Sequence, residues 1–293
     1  MNVELAQDAR ATIGEGPLWD QRGGRLNWVD IRAGVVHRFS PRDGSDLILD
    51  AGQPVGSLGL GAGGGLVLAV RDGFAMVHVG SERVDRIIQV EMQATNRRMN
   101  DGRCDPAGRF WAGTMDWDHA PHAGSLYRLE VTDGEPQVTR VLGDLTISNG
   151  IDWSPNGQIM YFVDSATQRI DMFDFDVASG SLANRRVFVS ISPREGLPDG
   201  LVVDGDGGVW VALFGAGRMR RYGPQGGLDL EISLPVSLVT SAAFGGPEFA
   251  DLYITSARHR LDAAQLESQP HAGSLFVCRP GPTGRPAHLF PWI

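Results

Sequence analysis

Glu15, Asn149 and Asp199, together with the adjacent pair Asn100 and Asp101, are the residues of this chain best suited by type and spacing to do chemistry. Each ends in a side-chain oxygen and is followed by glycine, directly or after one residue. Each stands nine to eleven residues ahead of a short apolar segment. Asn-Gly and Asp-Gly pairs are turn formers, so taken one at a time these residues read as turn caps. Taken together they are carboxylates and amides at one level of a repeating structure. Carboxylates crowded into one place repel each other, which raises their pKa values unless a cation intervenes. Carboxylate and amide oxygens form a hard ligand set that suits Ca²⁺, Mg²⁺ or Mn²⁺. No histidine or cysteine falls in the column, so an imidazole or thiolate zinc site is not implied.

Such a gathering needs elements that bring distant residues to one place. A Gly- or Ala-led turn followed by a short apolar segment recurs six times, with Leu26, Leu66, Phe110, Met160, Val209 and Leu252 as equivalent positions. The intervals are 40, 44, 50, 49 and 43 residues, the period of a four-stranded propeller blade. Each segment is preceded and followed by another short strand, as in a meander. The expected fold is therefore all-β, a six-bladed β-propeller in one domain spanning residues 1–293. The polar column should sit just ahead of the innermost strands, where a propeller converges on its channel. A closed ring leaves no free sheet edge, so a terminal segment, Val3 to Gln7 or His288 to Trp292, should complete the last blade. The one helical stretch is the short LDAAQLESQ from Leu261.

Composition narrows the function. The 293-residue chain carries a net charge of −9, which argues against a nucleic-acid surface. All 26 basic residues are arginine, which removes Schiff-base lysine chemistry and the P-loop lysine. Two isolated cysteines, Cys104 and Cys278, make no disulfide framework and fit a reducing cytoplasm. No signal-like N-terminus and no long apolar run is present, so neither export nor a membrane is expected. The stretch from Gly59 to Gly64 matches a dinucleotide fingerprint by letter, but a strand follows where a helix must begin, so it reads as a hairpin turn. His119 and His122 flank Pro121 in a loop that could border a pocket. Trp117 in the same loop is expected to line it, and Arg218, Arg220 and Arg221 read as a solvated strand edge.

Along its whole length the chain resembles the gluconolactonase/regucalcin family. The stretches that carry the likeness are GEGPLW from Gly14, NRRMNDGRCDPAGRFWAGTM from Asn96, SNGIDWSPNG from Ser148, PDGLVVD from Pro198 and FGG from Phe244. The resemblance implies a six-bladed propeller holding one divalent cation on Glu15, Asn149 and Asp199. Calcium is the foremost choice, with zinc, manganese, magnesium and iron as others. It further implies substrate binding by Arg98 and Asn100, with Asp118 matching an acidic residue after Gly-Thr-Met and Asp116 nearby.

Lactone hydrolysis adds water to a carbonyl carbon through an oxyanion, which a divalent ion stabilises. Calcium acidifies water less than zinc does, so a protein base still helps. Asp199 is the choice for that role, and the family points the same way. The expected function is metal-dependent opening of a small-molecule sugar lactone, with no nucleic-acid, membrane or obligate protein partner. Two rivals remain: a hydrolase of non-sugar lactones, esters or phosphotriesters, and a calcium-binding propeller without catalysis.

Overall fold

A computed structural model describes residues 2–81 and 83–291. They form six four-stranded antiparallel sheets arranged as a β-propeller. Blades one to five are simple meanders. The innermost strands of the six blades are Gly14–Asp20, Val55–Leu60, Arg97–Cys104, Ser148–Trp153, Leu197–Val203 and Val239–Gly245. All six apolar landmarks lie in the second strands, are buried, and pack between neighbouring blades. A strand covered on both faces reads as a continuous apolar run, as LVLAV does at Leu66–Val70. Outer strands alternate or turn polar because one face meets water; in Ser181–Ser190 only Val189 is buried.

The turns between first and second strands explain the recurring glycine. In blade three, the Asp105 carboxylate accepts hydrogen bonds from the Ala107 and Arg109 amides and from Trp111 Nε1 at 2.9 Å. Blade five repeats the device, with Asp204 accepting from the Asp206 and Gly208 amides and from Trp210 Nε1 at 2.8 Å. One buried carboxylate thus locks both the turn and the tryptophan that fills the gap between blades. In blade two, Gly59 lies inside the inner strand, and only Gly61 to Gly64 form the hairpin connection.

The last blade is closed by the chain's beginning. Strand Glu4–Gln7 pairs with Leu275–Cys278, placing Leu5 opposite Phe276. Of the two terminal candidates, the first completes the sheet. His288 belongs instead to a tail that crosses the far end of the channel, where Arg285 donates to the Trp153 carbonyl at 2.7 Å and Phe290 bridges Gly61. Trp292 lies outside the described residues. Among the described residues no helix is long and apolar enough to cross a membrane. An α-helix, Ala263–Ser268, is capped reciprocally by Asp262 and Gln265.

Two sequence expectations are corrected here. The polar column lies within the inner strands, not ahead of them. In all six blades the pairing of first and second strands skips at this level: between Glu15 and Leu18, Val55 and Ser57, Met99 and Gly102, Ser148 and Ile151, Pro198 and Leu201, and Val239 and Ser241. These are β-bulges, which re-aim side chains. The glycines beside them make close approaches between inner strands rather than turns. A Cβ on Gly150 would lie 2.5 Å from the Leu201 amide nitrogen, and one on Gly56 2.5 Å from the Asn100 carbonyl oxygen. Secondly, the arginine run of blade five is not a solvated edge. Arg220 and Arg221 are buried, the first paired with Glu195 and Glu231 and the second with Asp204 and Asp229; only Arg218 is exposed.

Candidate metal and substrate pocket

The bulges turn Glu15, Asn100, Asn149, Asp199 and Thr240 into one cavity of about 450 Å³ at one end of the channel. Each comes from a different blade. Each is also more than nine-tenths buried. The amide of Asn149 is oriented from both ends: its Nδ2 donates to Ser165 Oγ at 2.9 Å, and its Oδ1 accepts from Asn100 Nδ2 at 3.1 Å. That leaves the Asn149 oxygen a free lone pair. Asn100 Nδ2 also donates to the Ser148 carbonyl at 2.7 Å, which ties blade three to blade four at this level. Thr240 Oγ1 donates to the Gly14 carbonyl at 2.6 Å, joining the last blade to the first beside Glu15.

The electrostatics follow from burial and like charge. Glu15 is pushed well above its ordinary value by burial first, then by the Asp199 and Asp101 charges. Asp199 is raised likewise by burial and by Asp101, against which Arg98 and an Asn149 hydrogen bond pull. Asp101, one residue deeper, is raised to about 6, chiefly by burial. Arg98 is brought down to about 10 by burial, with Glu15 and Asp199 holding its charge. Among the described residues no three His, Cys, Asp or Glu side chains gather at metal-ligand spacing. The oxygens that the pocket could offer a cation are instead two carboxylates and an amide. Two buried carboxylates that each resist ionisation, with the Asn149 amide hydrogen-bonded beside Asp199, fit a hard divalent cation.

Arg98 lies 6% exposed against the same cavity, whereas Arg97 points the other way and pairs with Glu91 at 2.9 Å. Strand alternation makes that split. Trp117 lines the cavity with Arg32 and Arg98 over its ring, at 4.7 and 4.8 Å from the centroid. Of the two loop histidines, His119 reaches the pocket and His122 does not. Asp118 is not brought there. It is exposed and accepts from Asn96 Nδ2 at 3.0 Å, and Asp116 is held by the same amide at 3.1 Å.

Several lining residues carried no repeat signal. Arg32 follows the second strand of blade one. His259, Arg260 and Leu261 follow that of blade six, and Gln265 and Gln269 come from the short helical segment. Burial first, and then neighbouring arginines, holds His119 and His259 below the usual histidine value.

The fold and the pocket together define a six-bladed propeller with a polar, oxygen-lined pocket floor at one end of its channel. The chain belongs to the SMP-30/gluconolactonase/LRE-like family, whose model matches residues 13–258. It is 37% identical over 277 residues to the Bacillus subtilis (strain 168) protein named sugar lactone lactonase YvrE, covering 94% of each chain. Regucalcin of Sus scrofa is 38% identical over 284 residues, covering 94% of this chain and 93% of that one. Among solved structures, a calcium-binding protein, regucalcin, from Agrobacterium tumefaciens superposes with a TM-score of 0.93 at 28% identity, covering 99% and 97% of the two chains.

Proposed function

We propose that this protein is a metal-dependent lactonase that opens a sugar-acid lactone to the free acid. The observation that carries the reading is the convergence of Glu15, Asn149 and Asp199, from three blades, on the floor of one pocket. Family membership and a relative named as a sugar lactone lactonase support the reaction class. Glu15, Asn149 and Asp199 would hold one divalent ion. Calcium is favoured by the all-oxygen donors and by the calcium-binding description of the Agrobacterium relative. When bound, that ion supplies Lewis-acid stabilisation of charge on the carbonyl oxygen, worth several kcal/mol.

The protein's own groups do the rest. Arg98 and Asn100 border the same floor and hold the lactone by its hydroxyl and ring oxygens. Asp199 takes a proton from the attacking water as the water oxygen bonds to the carbonyl carbon. It returns that proton to the ring oxygen as the ring C–O bond breaks, so one lactone and one water give one hydroxy acid. Trp117, Ile13, Ile147 and Phe214 are apolar walls that thin the water around the reacting carbon.

The test is a pH-indicator screen of sugar lactones against chelator-treated protein, with calcium, magnesium, manganese or zinc restored one at a time. Turnover that disappears on chelation and returns with a metal supports the proposal. A protein that binds calcium yet hydrolyses no lactone is a binding propeller instead.

A further inference from the structure

Above the acidic floor, the cavity mouth is basic. Arg32 from blade one, Arg98 from blade three and Arg260 from blade six all line it, accompanied by His119 and His259. In a chain of net charge −9 that composition is local. Among the described residues, none of these three arginines forms an ion pair with a carboxylate, although ion pairs hold many of the others. Arg98 is 6% exposed and its Nε has no hydrogen-bond partner. Buried donors without partners carry a free-energy cost that a ligand would relieve. Asp116 and Asp118 are turned to Asn96 outside the cavity, and Glu15 and Asp199 hold the charge of Arg98, the buried one of the three arginines. Glu15 and Asp199 sit on the floor, where the proposed metal would balance them. Arg32 and Arg260 are exposed whereas Glu15 and Asp199 are buried, so the two arginines stand on the open side of the pocket with no carboxylate paired to them among the described residues.

We infer that the preferred lactone carries a second anionic group, a carboxylate or a phosphate, at the end of the sugar remote from the reacting carbonyl, bound at the rim by Arg32 and Arg260. Arginine's planar fork suits either oxyanion. A neutral lactone leaves those charges unanswered, so the pocket distinguishes acidic sugar lactones from neutral ones of the same length. The inference rests on the lactonase reading for the orientation of the sugar, but its binding can be measured apart from turnover.

The experiment is titration calorimetry of the calcium-loaded protein with three product acids: gluconate, which has one carboxylate, glucarate, which has two, and 6-phosphogluconate. At least one of the two acids with a second anionic group should bind roughly tenfold or more tightly than gluconate, the worth of a charge-assisted pair. Whichever of glucarate and 6-phosphogluconate binds more tightly identifies carboxylate or phosphate as the group read. In the double variant Arg32→Gln, Arg260→Gln the ratio should fall toward one. The single variant Arg260→Gln, in an exposed loop, should lower the ratio in part even where the double variant is poorly folded. Equal affinities for all three acids in the unmodified protein would overturn the inference, and so would an unchanged ratio in a folded double variant. If the ratio holds but no lactone is hydrolysed, the lactonase reading fails alone; if gluconolactone is hydrolysed and the ratio is one, this inference fails alone.

Discussion

Asp199 is the residue on which most of the chemistry turns, because it is asked both to bind the cation and to move a proton. Asp199→Ala should reduce lactone hydrolysis by about 10²-fold or more, the usual worth of a positioned acid–base group, with the circular dichroism of the propeller retained. An active, folded variant would take Asp199 out of the mechanism. Its partner Glu15 gives a pH signature. Both carboxyls have folded pKa values raised above the ordinary 3.8 and 4.5. Stability from the protonated forms is therefore complete below those values and is lost as pH rises through the raised ones. The chelated protein should melt a few degrees lower at pH 8 than near pH 5, with calcium removing most of the difference. Glu15→Gln should flatten the slope of the chelated protein. A metal-induced shift in melting temperature that shrinks as pH rises would contradict this account.

At the scale of the element, the bulged inner strand is the device that converts a structural repeat into a site. Regular pairing would alternate these residues between the two faces of a blade, whereas a skip at the same level in six blades throws them into the channel. Its tolerance is small. A methyl on Gly150 would press on the Leu201 amide and the Asp199 carbonyl, at 2.5 and 2.8 Å. Gly150→Ala should therefore destabilise the fold by about 1–3 kcal/mol and weaken metal binding, read by denaturant melts and calcium titration.

The same element shows what the sequence made legible. The equivalence of Glu15, Asn149 and Asp199 could be read because each precedes its apolar strand by a nearly constant interval. The bulge itself could not, since Asn-Gly and Asp-Gly carry the same letters in a turn. Arg32 and Arg260 stayed hidden for a different reason. They sit in connections whose length and composition differ from blade to blade, so no alignment of repeats brings them into register. Asp118 was drawn in by the family resemblance, matched by its spacing after Gly-Thr-Met, and in the structure it is exposed and accepts a hydrogen bond from Asn96. The buried pair Arg220 and Arg221 looked solvated because their carboxylate partners, Glu195, Asp204, Asp229 and Glu231, are scattered along the chain.

At the scale of the whole molecule, the ring depends on one short strand. Glu4–Gln7 supplies the outermost strand of the last blade and bonds to Leu275–Cys278. A variant lacking residues 2–7 should leave the Leu275–Cys278 edge unpaired, lower the melting temperature by several degrees, and raise the tendency to associate. Light scattering during a thermal ramp would show both, and a truncated protein as stable and monodisperse as the full chain would contradict this role.

That closure also sets an order of events in the cell. On the ribosome Leu5 is made 271 residues before its partner Phe276. At typical elongation rates of 5–20 residues per second, the opening segment waits roughly 15 to 55 s with nothing to pair with. Five meandering blades can assemble meanwhile from neighbouring sequence, but the circle is sealed only once Leu275–Cys278 has been made. Until then the nascent chain presents a raw margin at each end, and this interval is when it is most exposed to wrong partners and most in need of a chaperone's shelter.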